Sequence, residues 1–156
     1  MIILGIDPGI ERMGFAVLEV VKGKTVLRDC GCVKTSKDLT LAQRLKELAG
    51  DLEEIIKTWK PNTAAVEELF FSKNVKTAIT VAHARGVILA ELAKHNIPER
   101  TFNPVAIKLA ICGDSKADKK QMQKMVQYEL GIKLKSDDTV DAVAIALCMR
   151  SHLKRI

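Results

Sequence analysis

Three strand-like segments lie within the first 35 residues, and they restrict the possible folds more than any other feature of the chain. Residues 2–6 form an apolar run, and the strand-like runs 14–21 and 25–35 follow with only the polar break Lys22-Gly23-Lys24 between them. A break this short between two strands predicts an antiparallel hairpin. We therefore expect the chain to begin with an antiparallel unit of a β-sheet.

After the hairpin, the spacing of apolar residues switches between helix and strand. Residues 39–59 carry an apolar stripe at helical spacing, which Pro61 ends. The remaining predicted elements are strands at 63–69 and 97–102, and helices within 72–95, from Asn103-Pro104 to Cys112, at 117–130 and at 137–152. The last helix has little polar surface and is expected to be largely buried. The order βββαβαβααα predicts an α/β fold with helices packed on a mixed sheet, and we expect a single domain over residues 1–156.

Composition excludes several classes of protein. Hydrophobic residues make up 47% of the chain and charged residues 28%, as is typical of soluble globular proteins. No apolar stretch reaches the roughly 18 residues of a membrane span, and the start of the chain lacks the pattern of a secretory signal. The four cysteines, at positions 30, 32, 112 and 148, suggest no disulfide framework or zinc site and are expected to be buried free thiols. A cytoplasmic protein without a membrane partner is expected.

The chain is basic. Its 25 lysines and arginines exceed its 19 acidic residues and give a net charge of +6 and a pI near 9.2. This excess is compatible with a polyanionic partner but does not establish one. Aromatic residues make up only 4% of the chain, so an extended platform for stacking nucleic-acid bases is not expected.

Several carboxylates stand in apolar surroundings at the ends of predicted elements. Asp7 follows the first strand, although Asp-Pro-Gly is also ordinary turn chemistry. Glu67 and Glu68 follow the apolar run 63–66. Successive strand residues point to opposite faces, so only one of the two glutamates can join Asp7. Strand parity alone leaves open which one it is.

A second pair of carboxylates begins the last helix. Asp138 and Asp141 are three residues apart, which places them on one helical face. Asp138 could simply be a capping acid, favoured by the helix dipole. Asp141 lies beyond the cap and precedes an apolar helix, where an unpaired carboxylate would be costly to bury.

If the carboxylates described above lie together at one end of the sheet, they predict a metal centre. Two carboxylates about 4 Å apart repel by on the order of 4 kcal/mol at an effective dielectric of 20. A cluster of four would therefore stay ionised only with divalent cations, and oxygen ligands favour Mg²⁺ or Mn²⁺. Two such ions roughly 3.5–4 Å apart suit in-line displacement at a phosphodiester.

Five motifs in order along the chain resemble those of the RuvC Holliday junction resolvases. They are Gly5-Ile-Asp7-Pro-Gly9 with Gly14-Phe15, Val66-Glu67-Glu68-Leu-Phe70-Phe-Ser-Lys73-Asn74, Ala84-Arg85-Gly86-Val87, Lys119 with Gln121-Met-Gln123-Lys-Met-Val126, and Asp138-Thr-Val-Asp141-Ala-Val-Ala. The resemblance implies an RNase H-like fold with sheet order 3-2-1-4-5 and a homodimer. It also implies Mg²⁺-dependent paired cleavage of a four-way DNA junction in recombination and repair, leaving 5′-phosphate ends. Two Mg²⁺ per active site, replaceable by Mn²⁺, and the RuvA-RuvB branch-migration complex are the implied cofactor and partner.

The resemblance also assigns residues. The family's four catalytic and metal-binding acids fall on Asp7, Glu67, Asp138 and Asp141, which leaves Glu68 as a bystander. The expected DNA contacts are Phe70, Lys73, Asn74, Arg85, Lys108, Lys116 and Lys119. Three departures from the family pattern are Gly113-Asp114-Ser115 in place of a GxG loop, Phe102 for a tyrosine and His83 for a glutamine.

Two alternative functions remain open. One is an RNase H-like nuclease that acts on RNA, and the other is a junction-binding module without catalysis. The helix within residues 72–95, where Gly86 permits close helix approach, is either the dimer interface or ordinary packing on the sheet.

Overall fold

The sheet contains five strands in the order β3-β2-β1-β4-β5, as expected. The computed structural model describes residues 1–68, 75–134 and 137–153, and the side chains of residues 75–77 and 138 lie outside this description. The strands are β1 (Ile2–Asp7), β2 (Arg12–Val21), β3 (Lys24–Lys34), β4 (Thr63–Glu67) and β5 (Glu99–Phe102). The helices are α1 (Leu41–Trp59), α2 (Val75–Lys94), α3 (Pro104–Cys112), α4 (Lys119–Leu130) and α5 (Asp137–Leu153). The predicted order of elements and the α/β class are confirmed.

Strand pairing brings the ends of β1 and β4 together. β1 runs antiparallel to β2, with Asp7 opposite Gly14, and parallel to β4, with Ile6 opposite Val66. β5 pairs in parallel with β4. Because β1 and β4 are parallel neighbours in this register, their last residues, Asp7 and Glu67, lie side by side at the same end of the sheet.

The two faces of the sheet carry separate hydrophobic cores. On one face, Leu4 and Ile6 pack with the buried positions of α1 and α2, among them Leu52 and Ile88. On the other face, Ile3 and residues of α3, α4 and α5 form the second core. Residues 142–149 of α5 are all buried, which confirms the prediction for the last helix. Full burial of such apolar side chains contributes about 1.5–3 kcal/mol each.

Side-chain caps set where the helices begin. Thr40 accepts a hydrogen bond from the backbone N–H of Gln43 and starts α1, and Asp118 does the same for Gln121 in α4. In each case the third helical residue bonds back to the cap, which completes a capping box. The caps explain why both helices begin two residues later than the apolar pattern predicts.

Two sequence expectations need correction at the surface. Only Cys148 is a buried thiol, while the other three free cysteines are half-buried. Cys30 and Cys32 lie on β3, an edge strand of the sheet, where packing covers them incompletely. Ile79 belongs to the apolar pattern of α2 but is 51% exposed, because α2 turns Ala84 and Ile88 to the sheet instead. None of the described helices is long and apolar enough to cross a membrane.

Candidate active site

Asp7 and Glu67 meet at the end of the sheet. Asp7 is in phase with Ile3, and Glu67 is in phase with Ala65, and both of these apolar residues belong to the core on the α5 face. The side chains of Asp7 and Glu67 are hydrogen-bonded to each other. Glu68 is the next residue along the chain, is therefore out of phase with Asp7, and is exposed. Of the two adjacent glutamates, Glu67 is therefore the one that joins Asp7.

Helix α5 brings Asp141 to the same place because it lies directly on β1. A Cβ atom at Gly5 would stand 2.3 Å from the carbonyl oxygen of Ala142 and 2.8 Å from the Cβ of Ala146. Only a glycine on the strand, facing small residues on the helix, allows this approach. Asp141 immediately precedes the contact and faces Glu67 closely enough for their charges to interact.

For Asp138, the fourth predicted acid, the structure describes the backbone but not the side chain. Its backbone belongs to the first turn of α5, one turn before Asp141, and its side chain lies outside the described residues. The structure thus brings together three of the four predicted acids.

The electrostatics of the site favour a cation. Burial is the largest cause that raises the pKa of Glu67, the negative charge of Asp141 raises it further, and the hydrogen bond with Asp7 opposes the shift. Two carboxyl groups can share a hydrogen bond only when one of them holds a proton. A divalent cation would replace that proton, and the donor set of carboxylate oxygens fits Mg²⁺ or Mn²⁺.

A cleft of about 370 Å³ opens beside these acids and contains cationic groups. Its lining includes Glu67 and Asp141 together with Lys108 of α3 and Lys119 of α4. Asp118, the cap of α4, also belongs to the lining and is an acid that the motif comparison did not single out. Anionic and cationic groups therefore face one space that is open to solvent.

The loop before α4 is well defined despite its departure from the family pattern. Gly113 ends α3 in the left-handed conformation, with φ of 70°, which a glycine adopts without strain. The side chain of Asp114 then accepts a hydrogen bond of 2.8 Å from the backbone N–H of Lys116. Lys116 itself is exposed and is not among the described residues of the cleft.

The other predicted DNA contacts have different positions. Arg85 is half-buried and bonds within the protein, to the carbonyl oxygen of Glu67 and the hydroxyl of Thr101. Sequence patterns gave no signal for Thr101. Phe70, Lys73 and Asn74 lie outside the described residues. Of the two remaining departures, His83 is exposed, and Phe102 is buried with its ring edge-on to His152 at 6.1 Å.

A different group of metal-ligand type lies on the opposite face of the sheet. Glu53 of α1, with Glu91 and His95 at the end of α2, brings its ligand atoms within 4.8 Å of one another. The ammonium group of Lys94 lies 3.1 Å from Glu53 and 3.3 Å from Glu91. A cation of the chain itself is thus already paired with both of these carboxylates.

Comparison with known proteins gives consistent results along the whole chain. A family model described as crossover junction endodeoxyribonuclease RuvC matches residues 3–149. The crossover junction endodeoxyribonuclease RuvC of Roseiflexus sp. (strain RS-1) is 47% identical over 147 residues, which cover 93% of this chain and 88% of that protein. The protein of the same name from Brachyspira hyodysenteriae is 47% identical over 152 residues, covering 97% and 95%.

A solved structure agrees with the sequence comparisons. The fold is similar to Thermus thermophilus RuvC in complex with a Holliday junction substrate, with a TM-score of 0.93 and 30% identity. That similarity covers 99% of this chain and 96% of the other.

Proposed function

The chain belongs to the RuvC family of crossover junction endodeoxyribonucleases, and on this basis we propose that it is a metal-dependent endonuclease that resolves four-way DNA junctions in recombination and repair. The observation that carries the proposal is the meeting of Asp7, Glu67 and Asp141 beside a cleft that Lys108 and Lys119 also line. The cleavage products would carry 5′-phosphate ends.

The four acids would hold two Mg²⁺ ions, for which Mn²⁺ could substitute. When bound, such ions activate the attacking water and stabilise the leaving 3′-oxygen. The chain's contribution is to present ionised oxygens from rigid elements: Asp7 and Glu67 from neighbouring strands, and Asp138 and Asp141 from a helix that rests on β1. Burial and, after it, the negative charge of Asp141 raise the pKa of Glu67, and a bound cation would offset both effects.

Cationic side chains would position the DNA. Lys108 and Lys119 would contact phosphates close to the scissile bond, a role supported by their position in the lining of the same cleft as Glu67 and Asp141. Phe70, Lys73, Asn74 and Lys116 remain proposed contacts from the family resemblance. The net charge of +6 includes the four acids, so the rest of the chain has a still larger positive excess. Junction binding should accordingly weaken steeply as salt is raised.

The proposal includes a homodimer, because a four-way junction presents two equivalent scissile strands and a twofold dimer presents two equivalent sites. Helix α2 offers a surface for it. Ile79, Ala82, His83 and Gly86 follow helical spacing along one stripe, and all four are exposed. A Cβ atom at Gly86 would meet nothing within 4 Å, which leaves room for a second helix. A cytoplasmic location and docking of RuvA-RuvB complete the proposal.

A cleavage assay tests this function. A synthetic four-way junction, the matched linear duplex and an RNA–DNA hybrid are incubated with Mg²⁺ and the wild-type chain, and with Asp7→Asn, Glu67→Gln and Glu68→Gln. We expect paired symmetric nicks in the junction alone. Asp7→Asn and Glu67→Gln should lose roughly 10³-fold in rate, because a metal ligand supplies several kcal/mol of transition-state stabilisation. The matched control Glu68→Gln should cut like wild type, since the side chain of Glu68 is exposed and is out of phase with Asp7 and Glu67 along the strand.

Three results would contradict the proposal. Preferred cutting of the hybrid would indicate a nuclease that acts on RNA. Tight junction binding with no cutting of any substrate would leave a binding module. Equal losses in Glu67→Gln and Glu68→Gln would contradict the assignment of the acids.

A further inference from the structure

Arg85 joins three elements at the end of the sheet where the acids meet. It belongs to α2, which packs on the face opposite to α5 through Ala84, Ile88 and Leu92. From there its guanidinium group donates two hydrogen bonds. Nη2 bonds the hydroxyl of Thr101 in β5 at 2.9 Å, and Nε bonds the carbonyl oxygen of Glu67 in β4 at 3.4 Å. One side chain therefore connects α2 to the ends of two strands.

Glu67, whose carbonyl oxygen Arg85 bonds, lies where the pairing of β4 with β1 has already ended. Glu67 is the last residue of β4, and the pairing of β4 with β1 ends one residue earlier, at Val66. On its other side, β5 still pairs with Glu67 through Phe102, and the N–H of Glu68 bonds the carbonyl of Phe102 at 2.8 Å. The Glu67 carboxyl group meanwhile faces Asp7 and the charge of Asp141. Repulsion from Asp141 therefore acts on a strand end that β1 no longer pairs.

The geometry points to Arg85 as a positioning residue that fixes the backbone of Glu67 and so aims its carboxylate at the metal site. This role rests on the proposed function, and it differs from the DNA contact that the family resemblance implies. Two observations favour it. The guanidinium group is half-buried and already bonded to the protein, and Arg85 is not among the described residues that line the cleft. Arginine suits the role because its planar, forked guanidinium group holds two acceptors in one fixed geometry, whereas the ammonium of a lysine is a point charge on a flexible stem.

Metal binding without DNA is the readout that separates positioning from phosphate contact. Groups that orient metal ligands typically change metal affinity by about 10–100-fold when they are removed. We therefore expect Arg85→Gln to bind Mn²⁺ about 10–100-fold more weakly in isothermal titration calorimetry. The Mg²⁺ concentration for half-maximal junction cleavage should rise by a similar factor. Junction affinity in Ca²⁺ and its dependence on salt should stay within about twofold of wild type.

Three further variants make the test specific. Arg85→Lys keeps the charge but not the fork, so its Mn²⁺ affinity should remain closer to that of Arg85→Gln than to wild type. Thr101→Val retains Arg85 and removes one of its two anchors, and should weaken Mn²⁺ binding in the same direction but less. Lys46→Gln removes an exposed cation from α1, on the face of the sheet opposite to α5, and should leave Mn²⁺ affinity unchanged. Thermal melts would verify that each variant is folded.

The inference and the proposed function fail in different ways. Wild-type Mn²⁺ affinity in Arg85→Gln would overturn the positioning role. Such a result, combined with weaker junction binding and a salt slope reduced by about one, would identify Arg85 as a phosphate contact instead. A wild-type chain that cuts no junction would overturn the proposed function, while the Mn²⁺ titrations would still decide whether Arg85 positions Glu67.

Discussion

Gly5→Ala should damage catalysis through the position of a helix rather than through any catalytic group. The added Cβ atom would stand 2.3 Å from the carbonyl oxygen of Ala142 and 2.8 Å from the Cβ of Ala146. Both neighbours belong to α5 and one is backbone, so no flexible side chain can move aside. The helix must recede from β1 by about 1 Å to restore ordinary van der Waals separation. Asp141, which adjoins Ala142, moves with it.

The expected losses follow from that displacement. Overpacking a core of this kind costs about 1–3 kcal/mol, which for a chain of this size lowers the melting temperature by about 2–12 °C. A shift of about 1 Å in a catalytic group reduces the rate by about 10²-fold. Junction binding in Ca²⁺ should change little, because the cleft lysines Lys108 and Lys119 lie on α3 and α4.

The matched control is Gly50→Ala in α1. A Cβ atom there meets nothing within 4 Å, so the substitution should stabilise the helix by about 0.5–1 kcal/mol and leave cleavage unchanged. Melting curves and single-turnover cleavage of a four-way junction measure both effects. Wild-type rate and stability in Gly5→Ala would refute the reasoning, because the close contact between β1 and α5 would then not determine where Asp141 stands.

Two further predictions concern charge. The pKa of Glu67 is raised above its ordinary value of 4.5 in the folded protein, so near that pH the folded protein binds more protons than the unfolded chain. The metal-free protein should therefore lose stability as pH rises from about 4.5 through the folded pKa of Glu67. Calorimetry of Glu67→Gln should lack this part of the decline, and parallel curves for the two proteins would contradict the assignment. Lys108→Ala should weaken junction binding and reduce the slope of log binding constant against log salt concentration by about one. Lys57 pairs with Glu53 and Glu54 on α1, and Lys57→Ala should change neither quantity. Binding titrations at several salt concentrations measure this, and equal effects of the two substitutions would show that Lys108 acts only through net charge.

Local chemistry made the order of elements predictable. Hydrophobic period, turn residues and helix breakers act over a few neighbouring residues, so the sequence alone predicts ten elements in the right order and the strand character of residues 2–6 and 14–21. The errors lie at element ends and on helix faces. Thr40 and Asp118 are caps although the apolar pattern places both inside helices that begin at residues 39 and 117, and Ile79 is exposed although it fits an apolar stripe.

The acids were predictable as candidates but not as a site. Their isolation in apolar segments marked Asp7 and Asp141, and the family resemblance selected Glu67 over Glu68. The structure supplies the physical reason for that selection, because the register of β1 against β4 places Glu67 in phase with Asp7. Register depends on residues sixty positions apart, which no local pattern encodes.

The sequence by itself determined which segments become strands and helices, and that acids stand at the ends of some of them. Only the tertiary structure decided how these ends meet. The approach of α5 to β1 depends on a glycine facing small residues on a distant helix, and the support of Glu67 depends on Arg85 reaching it from α2. Both contacts join segments that are far apart in the chain, and packing between elements, rather than the conformational preference of any one of them, fixes their geometry.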